Sequence, residues 1–216
     1  MELRTEEEQV AAIKDWWKKN GAALLIGIGA ALAIVFGWQA WQQHQAEQLS
    51  LAASKYQQLL SSMNQPANDE QEKTIGFVAN QLQEDHEDSP YAVYGTLILA
   101  SHQFTEKSDP QAAVDSYKWA LARAPEGSLK TVINQRLAQA QFATDDSEAA
   151  LDTLRSVEDP GEFKALYSEL EGDILRAQGD MEGAREAYLA AREASGPAPN
   201  PILELKMADM AIGEDA

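Results

Sequence analysis

The chain of 216 residues contains no cysteine. Disulfides, thiolate nucleophiles and cysteine-ligated metals are therefore excluded, and the absence suits either side of a membrane. Histidine is scarce too: His44, His86 and His102 are the only three, and no two stand at a ligand spacing such as i, i+4. Basic residues are few, with 17 Lys and Arg against 35 Asp and Glu and a net charge of −18. Such a field repels nucleic acid and anionic head groups. Basic residues interleaved with aromatics, the mark of nucleic-acid readers, do not occur. A glycine-rich phosphate loop, a Walker-type Lys-Ser/Thr and a nucleophile elbow are likewise missing. No long Val/Ile/Thr-rich alternation argues for sheet. What remains is an all-α, non-enzymatic chain for which no cofactor or metal is expected.

What the chain does have is an uncharged run at residues 21–38 (GAALLIGIGAALAIVFGW). Roughly 20 apolar residues at ~1.5 Å rise cross a hydrocarbon core of about 30 Å. Trp16 and Trp17 precede the run and Trp38 and Trp41 follow it, placing indoles where both interfaces would lie. A single membrane helix over 21–41 is expected. Lys14, Lys18 and Lys19 stand before it, and the next basic residue is Lys55. That asymmetry predicts residues 1–20 in the cytoplasm and the remainder across the bilayer. A cleaved signal peptide is the rival. The run exceeds the usual core of about 7–15 residues, and Ala31-Leu32-Ala33 lies inside it rather than after it. Small residues form two stripes along the span, Ala23, Gly27 and Ala31 in one and Gly29, Ala33 and Gly37 in the other. Small residues four apart let membrane helices approach closely, so these six are candidate packing positions against another membrane helix.

From residue 46 onward apolar residues recur every three or four positions, the period of helices. Breaks at 64–68, 85–90, 107–110, 125–128, 144–147, 159–161, 179–180 and 195–201 leave segments of roughly 12–20 residues, ordinary helix lengths. Ser89-Pro90 and Asn200-Pro201 each put a capping side chain before a proline at the first helical position, where the missing N–H matters least. A repeat is also present. Ala113, Tyr117, Ala120 and Pro125 fall at tetratricopeptide offsets, as do Gly172, Ala184, Tyr188 and Ala191, with Leu137, Ala138, Ala150 and Leu154 as a degenerate copy between them. Ala113, Ala150 and Ala184 are 37 and 34 residues apart, close to the 34-residue unit of such repeats. Small residues suit the close crossing of two helices in a hairpin, and an aromatic fills the gap to the next. Helices near 47–63 and 69–84 are either a diverged hairpin or a stalk. A last helix over 201–212, with Ile202, Leu205 and Ala208 on one face, caps the stack.

The first helices of stacked hairpins line a concave face. It would present His102 and Thr105, then Gln135, Gln139 and Phe142, then Glu169, Asp173 and Arg176. Acidic Glu169 and Asp173 there predict basic or amide-rich ligands. His86 sits in the acidic run 84–88, read as a solvated loop because ligands need fixed partners to make a metal site. His44 is read as interfacial.

The layout as a whole resembles the family of ancillary subunits of the bacterial SecYEG translocon. The likeness rests on EEEQVAAIKDWWKKNG at 6–21, FGWQAWQQHQ at 36–45 and LAASKYQQLL at 51–60. It is most specific in LKTVINQRLAQAQ at 129–141 and GDILRAQGDMEGAREAYLAA at 172–191. The resemblance implies an inner-membrane protein with a periplasmic tetratricopeptide-like domain over 46–216. It further implies association with SecYEG and with a membrane-anchored periplasmic chaperone of the prolyl-isomerase type, and no catalytic residue. The expectation is a non-enzymatic adaptor linking secretion to chaperones. The alternative is a stress regulator acting through residues 1–19, whose Val10, Ile13, Trp16 and Trp17 form a short amphipathic stretch.

Overall fold

The computed structural model describes residues 6–64, 68–197 and 200–210, with side chains from residue 8 onward. Among these residues the regular elements are all helical. They are α1 (Glu6–Met63), α2 (Asp69–Asp85), α3 (Pro90–Thr105), α4 (Pro110–Arg123), α5 (Ser128–Ala143), α6 (Ser147–Arg155), α7 (Lys164–Gln178), α8 (Met181–Ser195) and α9 (Pro201–Asp209), with a 3₁₀ turn at Gly161–Phe163 ahead of α7. The chain divides into two units, Met1–Leu51 and Ala52–Ala216.

In the first unit α1 runs without a break, because neither proline nor a competing cap interrupts it. The amphipathic stretch at Val10–Trp17 and the apolar run are thus parts of one helix. Leu24, Ile26, Ile28, Ile34 and Phe36 are all exposed, and by length and composition this helix can cross a membrane. Trp38 and Trp41 sit together with ring centroids 4.9 Å apart.

The second unit is built from hairpins. Capping side chains set the start of six helices: Asn68, Ser89, Asp109, Asp146, Asp180 and Asn200 each accept a backbone N–H from the first turn of α2, α3, α4, α6, α8 and α9. Each such cap stabilises its helix by about 1 kcal/mol. The two Ser/Asn-Pro starts read from sequence are among them. α7 stops at Gly179, which takes φ 85° and turns the chain directly into α8, a left-handed conformation that favours glycine. α6 and α9 are shorter than expected. The hydroxyl of Ser156 folds back on the carbonyl of Thr153 at 2.7 Å, and Asp159 accepts the Gly161 N–H at 2.9 Å, so the chain leaves the helix early.

Three apolar clusters follow one another along the chain, as expected when each hairpin buries its face against its neighbours. The first gathers Leu59, Ile75, Val78, Leu82 and Leu99. The end of α1, α2 and α3 therefore share one apolar cluster, with Lys55 on α1 donating to Gln81 on α2 at 2.6 Å. Trp119 touches both this cluster and the second, around Val114, Tyr117, Ile133 and Leu137. The third holds Leu154, Tyr167, Ile174, Tyr188, Leu203 and Met207. Ala113, Ala150 and Ala184 are each fully buried. A second repeat signal also emerges: the Ser116 hydroxyl donates to Gln103 and that of Thr153 to Gln141, each at 2.8 Å. Both hydroxyls stand three residues after the small residue of their hairpin. Sequence inspection missed these pairs because a polar residue at a buried position breaks the apolar period.

Candidate functional site

Along α7, Glu169, Asp173 and Arg176 recur at i, i+4 and i+7 and so share a face. The structure brings them together beneath α9. Lys206 donates to Glu169 and to Asp173 at 2.7 Å each, and Asn200 Nδ2 donates to Glu169 at 3.1 Å. Asp173 also accepts the Tyr188 hydroxyl at 2.8 Å, and Arg176 pairs with Asp209 at 3.2 Å. These three candidate positions are therefore engaged from within the chain, by Lys206, Asn200 and Asp209.

The contact face of α9 differs from the one read in the sequence. Leu203 and Met207 are 1 % exposed, whereas Ile202 and Leu205 are 65 % and 72 % exposed. Apolar residues lie on both sides of this short helix, so periodicity could not choose between them. Lys206 chooses, because only one rotation carries its ammonium to two carboxylates. Ile212 lies outside the described residues.

The other groove positions are less engaged. Gln135 and Gln139 are half-buried on α5, with Gln139 accepting from Arg136 at 3.1 Å, and Phe142 packs against the third cluster. Thr105 is exposed and returns its hydroxyl to the Ser101 carbonyl at 2.9 Å. His102 carries a buried Nδ1 with no hydrogen-bond partner. His86 closes α2, its N–H on the Leu82 carbonyl. Among the described residues no group of three or more His, Asp or Glu side chains is placed to hold a metal. On α1, Ala23, Gly27, Gly29, Ala31, Ala33 and Gly37 are all exposed.

Electrostatics make the α7–α8–α9 contact sensitive to alkali. Burial opposes the charge on Lys206, but its hydrogen bonds to Asp173 and Glu169 outweigh that and leave its pKa raised. Burial pushes Tyr167 up to about 12, and Tyr188 is raised by burial and by its bond to Asp173. Each folded pKa lies above its unfolded value. The stabilisation is therefore complete below the unfolded pKa near 10 and drains away as pH rises through the folded values. Thermal midpoints should be flat from pH 7 to about 9.5 and fall steeply above about 10. A midpoint unchanged at pH 11 would contradict this linkage.

Residues 14–212 match the tetratricopeptide repeat-like domain family. Proteins named ancillary SecYEG translocon subunit match almost end to end. The Haemophilus influenzae protein is 32 % identical over 94 % of this chain and 96 % of its own length. The Escherichia coli protein is 29 % identical over 96 % and 97 %, and that of Aggregatibacter actinomycetemcomitans 31 % over 94 % and 96 %. The chain belongs to this family. No solved structure matches it. The match to the tetratricopeptide repeat-like family begins in α1 ahead of the apolar run and extends past α9, so the family unit takes in the long helix together with the hairpins.

Proposed function

We propose that the protein is a non-enzymatic, single-pass adaptor of the bacterial inner membrane that accompanies the SecYEG translocon. The observation that carries this reading is the likeness to ancillary translocon subunits across at least 94 % of the chain. Residues 1–20 face the cytoplasm and the hairpins face the periplasm, a reading supported by Lys14, Lys18 and Lys19 ahead of the apolar run and no basic residue after it until Lys55. The small-residue stripes pack against neighbouring membrane helices. The hairpin domain holds a membrane-anchored prolyl-isomerase-type chaperone near emerging chains, using the stretch of groove from His102 to Phe142 that α9 leaves open. Tethering makes the encounter local, so moderate affinity suffices.

Affinity purification of the full chain from detergent-solubilised inner membranes should recover SecYEG and the chaperone together. Recovery of neither would sink the reading. A single cysteine introduced on the hairpin domain, unique in a chain that has none, should react with an impermeant maleimide added outside spheroplasts.

A further inference from the structure

A cavity of about 420 Å³ opens where the turn before α3, the first turns of α3, the end of α4 and the start of α5 meet. Its volume falls in the range of ligand pockets, roughly 300–1,000 Å³. Val93, Tyr94, Pro125 and Leu129 give it mainly apolar walls, and Glu87, Asp88 and Arg123 stand on its rim. Tyr94 remains 40 % exposed, so apolar surface is offered rather than consumed.

The charges on the rim decide what fits. Arg123 is already committed, with Nη2 2.9 Å from Glu87 and its guanidinium 4.2 Å from the Trp119 ring. That pairing neutralises Glu87. Asp88 is exposed, makes no ion pair or side-chain hydrogen bond among the described residues, and ends the acidic run 84–88. Outside the cavity lining, the Tyr56 ring centroid lies 6.2 Å from that of Tyr94 and 5.6 Å from that of Tyr91. Carboxylates and tyrosine faces both attract cations, and an unpaired carboxylate repels anionic partners. The whole second unit is strongly negative, with 29 of the 35 Asp and Glu against 13 of the 17 Lys and Arg.

We infer that this cavity docks an extended polypeptide segment in which a bulky apolar side chain stands next to lysine or arginine. The apolar side chain fills the space between Val93, Tyr94 and Leu129, and the neighbouring cation meets Asp88 and the Tyr94 ring. Asp88 is thereby the rim charge that selects sign. The inference goes beyond the adaptor reading and stands without it, because the site lies within α3, α4 and α5 and needs no translocon to be occupied.

The test uses the full chain in zwitterionic nanodiscs and a fluorescent Gly/Ser peptide carrying a Leu-Phe pair between lysines, read by anisotropy against empty nanodiscs. Saturable binding that weakens with salt is expected. Asp88→Lys and Tyr94→Ala should each weaken it by roughly tenfold with helical content unchanged, and exchanging the peptide's lysines for glutamate should abolish it. Asp88→Lys should also flatten the salt dependence. Binding that survives both substitutions, an equal affinity for the glutamate peptide, or no saturable signal above empty discs would overturn the inference. SecYEG recovery with the same two variants should stay at the wild-type level, so loss of peptide binding and loss of translocon association read out separately.

Discussion

Replacing Tyr188 by alanine is expected to destabilise the α7–α8–α9 end of the protein by about 3–5 kcal/mol, the range for emptying a large aromatic site in a packed core. Tyr188 has no exposed surface and lies in the third apolar cluster. Its ring presses on the backbone of Gly172, where an added Cβ would stand 2.6 Å from two ring carbons. Glycine at 172 leaves the space that the Tyr188 ring fills. Hydrogen exchange on the intact protein should show protection in α7, α8 and α9 falling by about two to four decades, with α2 and α3 less affected because each hairpin couples directly only to its neighbours. Tyr188→Phe separates the contributions. It keeps the ring and removes only the hydroxyl bonded to Asp173, which retains Lys206, so a loss of about 1 kcal/mol is expected. Gly172→Ala should cost about 1–3 kcal/mol by overpacking. Its combination with Tyr188→Ala should be less damaging than the two losses added together, since the methyl enters vacated space. Strict additivity would show that the ring and the glycine do not meet.

Much of this architecture is legible in the sequence because the decisive signals are local. Pro90 and Pro201 mark helix starts after their caps, Gly179 marks a stop, and Ala113, Ala150 and Ala184 keep hairpin spacing. Where a property depends on which side of a helix meets a distant one, local pattern fails. α9 shows this best: Ile202 and Leu205 look like its buried stripe, yet Leu203 and Met207 enter the third cluster, and the same rotation carries Lys206 to Glu169 and Asp173, more than thirty residues earlier. The groove follows the same rule. Offsets within α5 and α7 group Gln135 with Gln139 and Glu169 with Asp173, but they carry no information that Lys206 and Asn200 engage the second pair. The cavity beside Tyr94 is wholly non-local. Pro90 and Leu129 come from separate hairpins, and only stacking puts them on one surface.

The second large effect concerns the long helix. Changing Ile28 and Ile34 together to lysine is expected to release the protein from the membrane. Eight large apolar residues carry the run, namely Leu24, Leu25, Ile26, Ile28, Leu32, Ile34, Val35 and Phe36, and all are exposed. Each favours insertion by about 0.3–0.6 kcal/mol, so together they supply only a few kcal/mol. A lysine near the centre opposes insertion by about 2.5–3.5 kcal/mol. Two of them outweigh everything the remaining six contribute. Snorkelling gives little relief at Ile28, ten residues before Trp38 and eleven after Trp17, and more at Ile34, four residues before Trp38. The variant should leave the pellet under alkaline carbonate extraction, whereas Ile28→Leu with Ile34→Leu should remain there. The substitutions sit in Met1–Leu51, and none of the three apolar clusters includes either residue, so protection of the hairpin amides should be unchanged. Were the double lysine variant still integral to the membrane, the run could not be what anchors the chain. Were it extracted but still co-purified with SecYEG, the hairpin domain alone would account for the association, and the small-residue stripes would lose their proposed part in it.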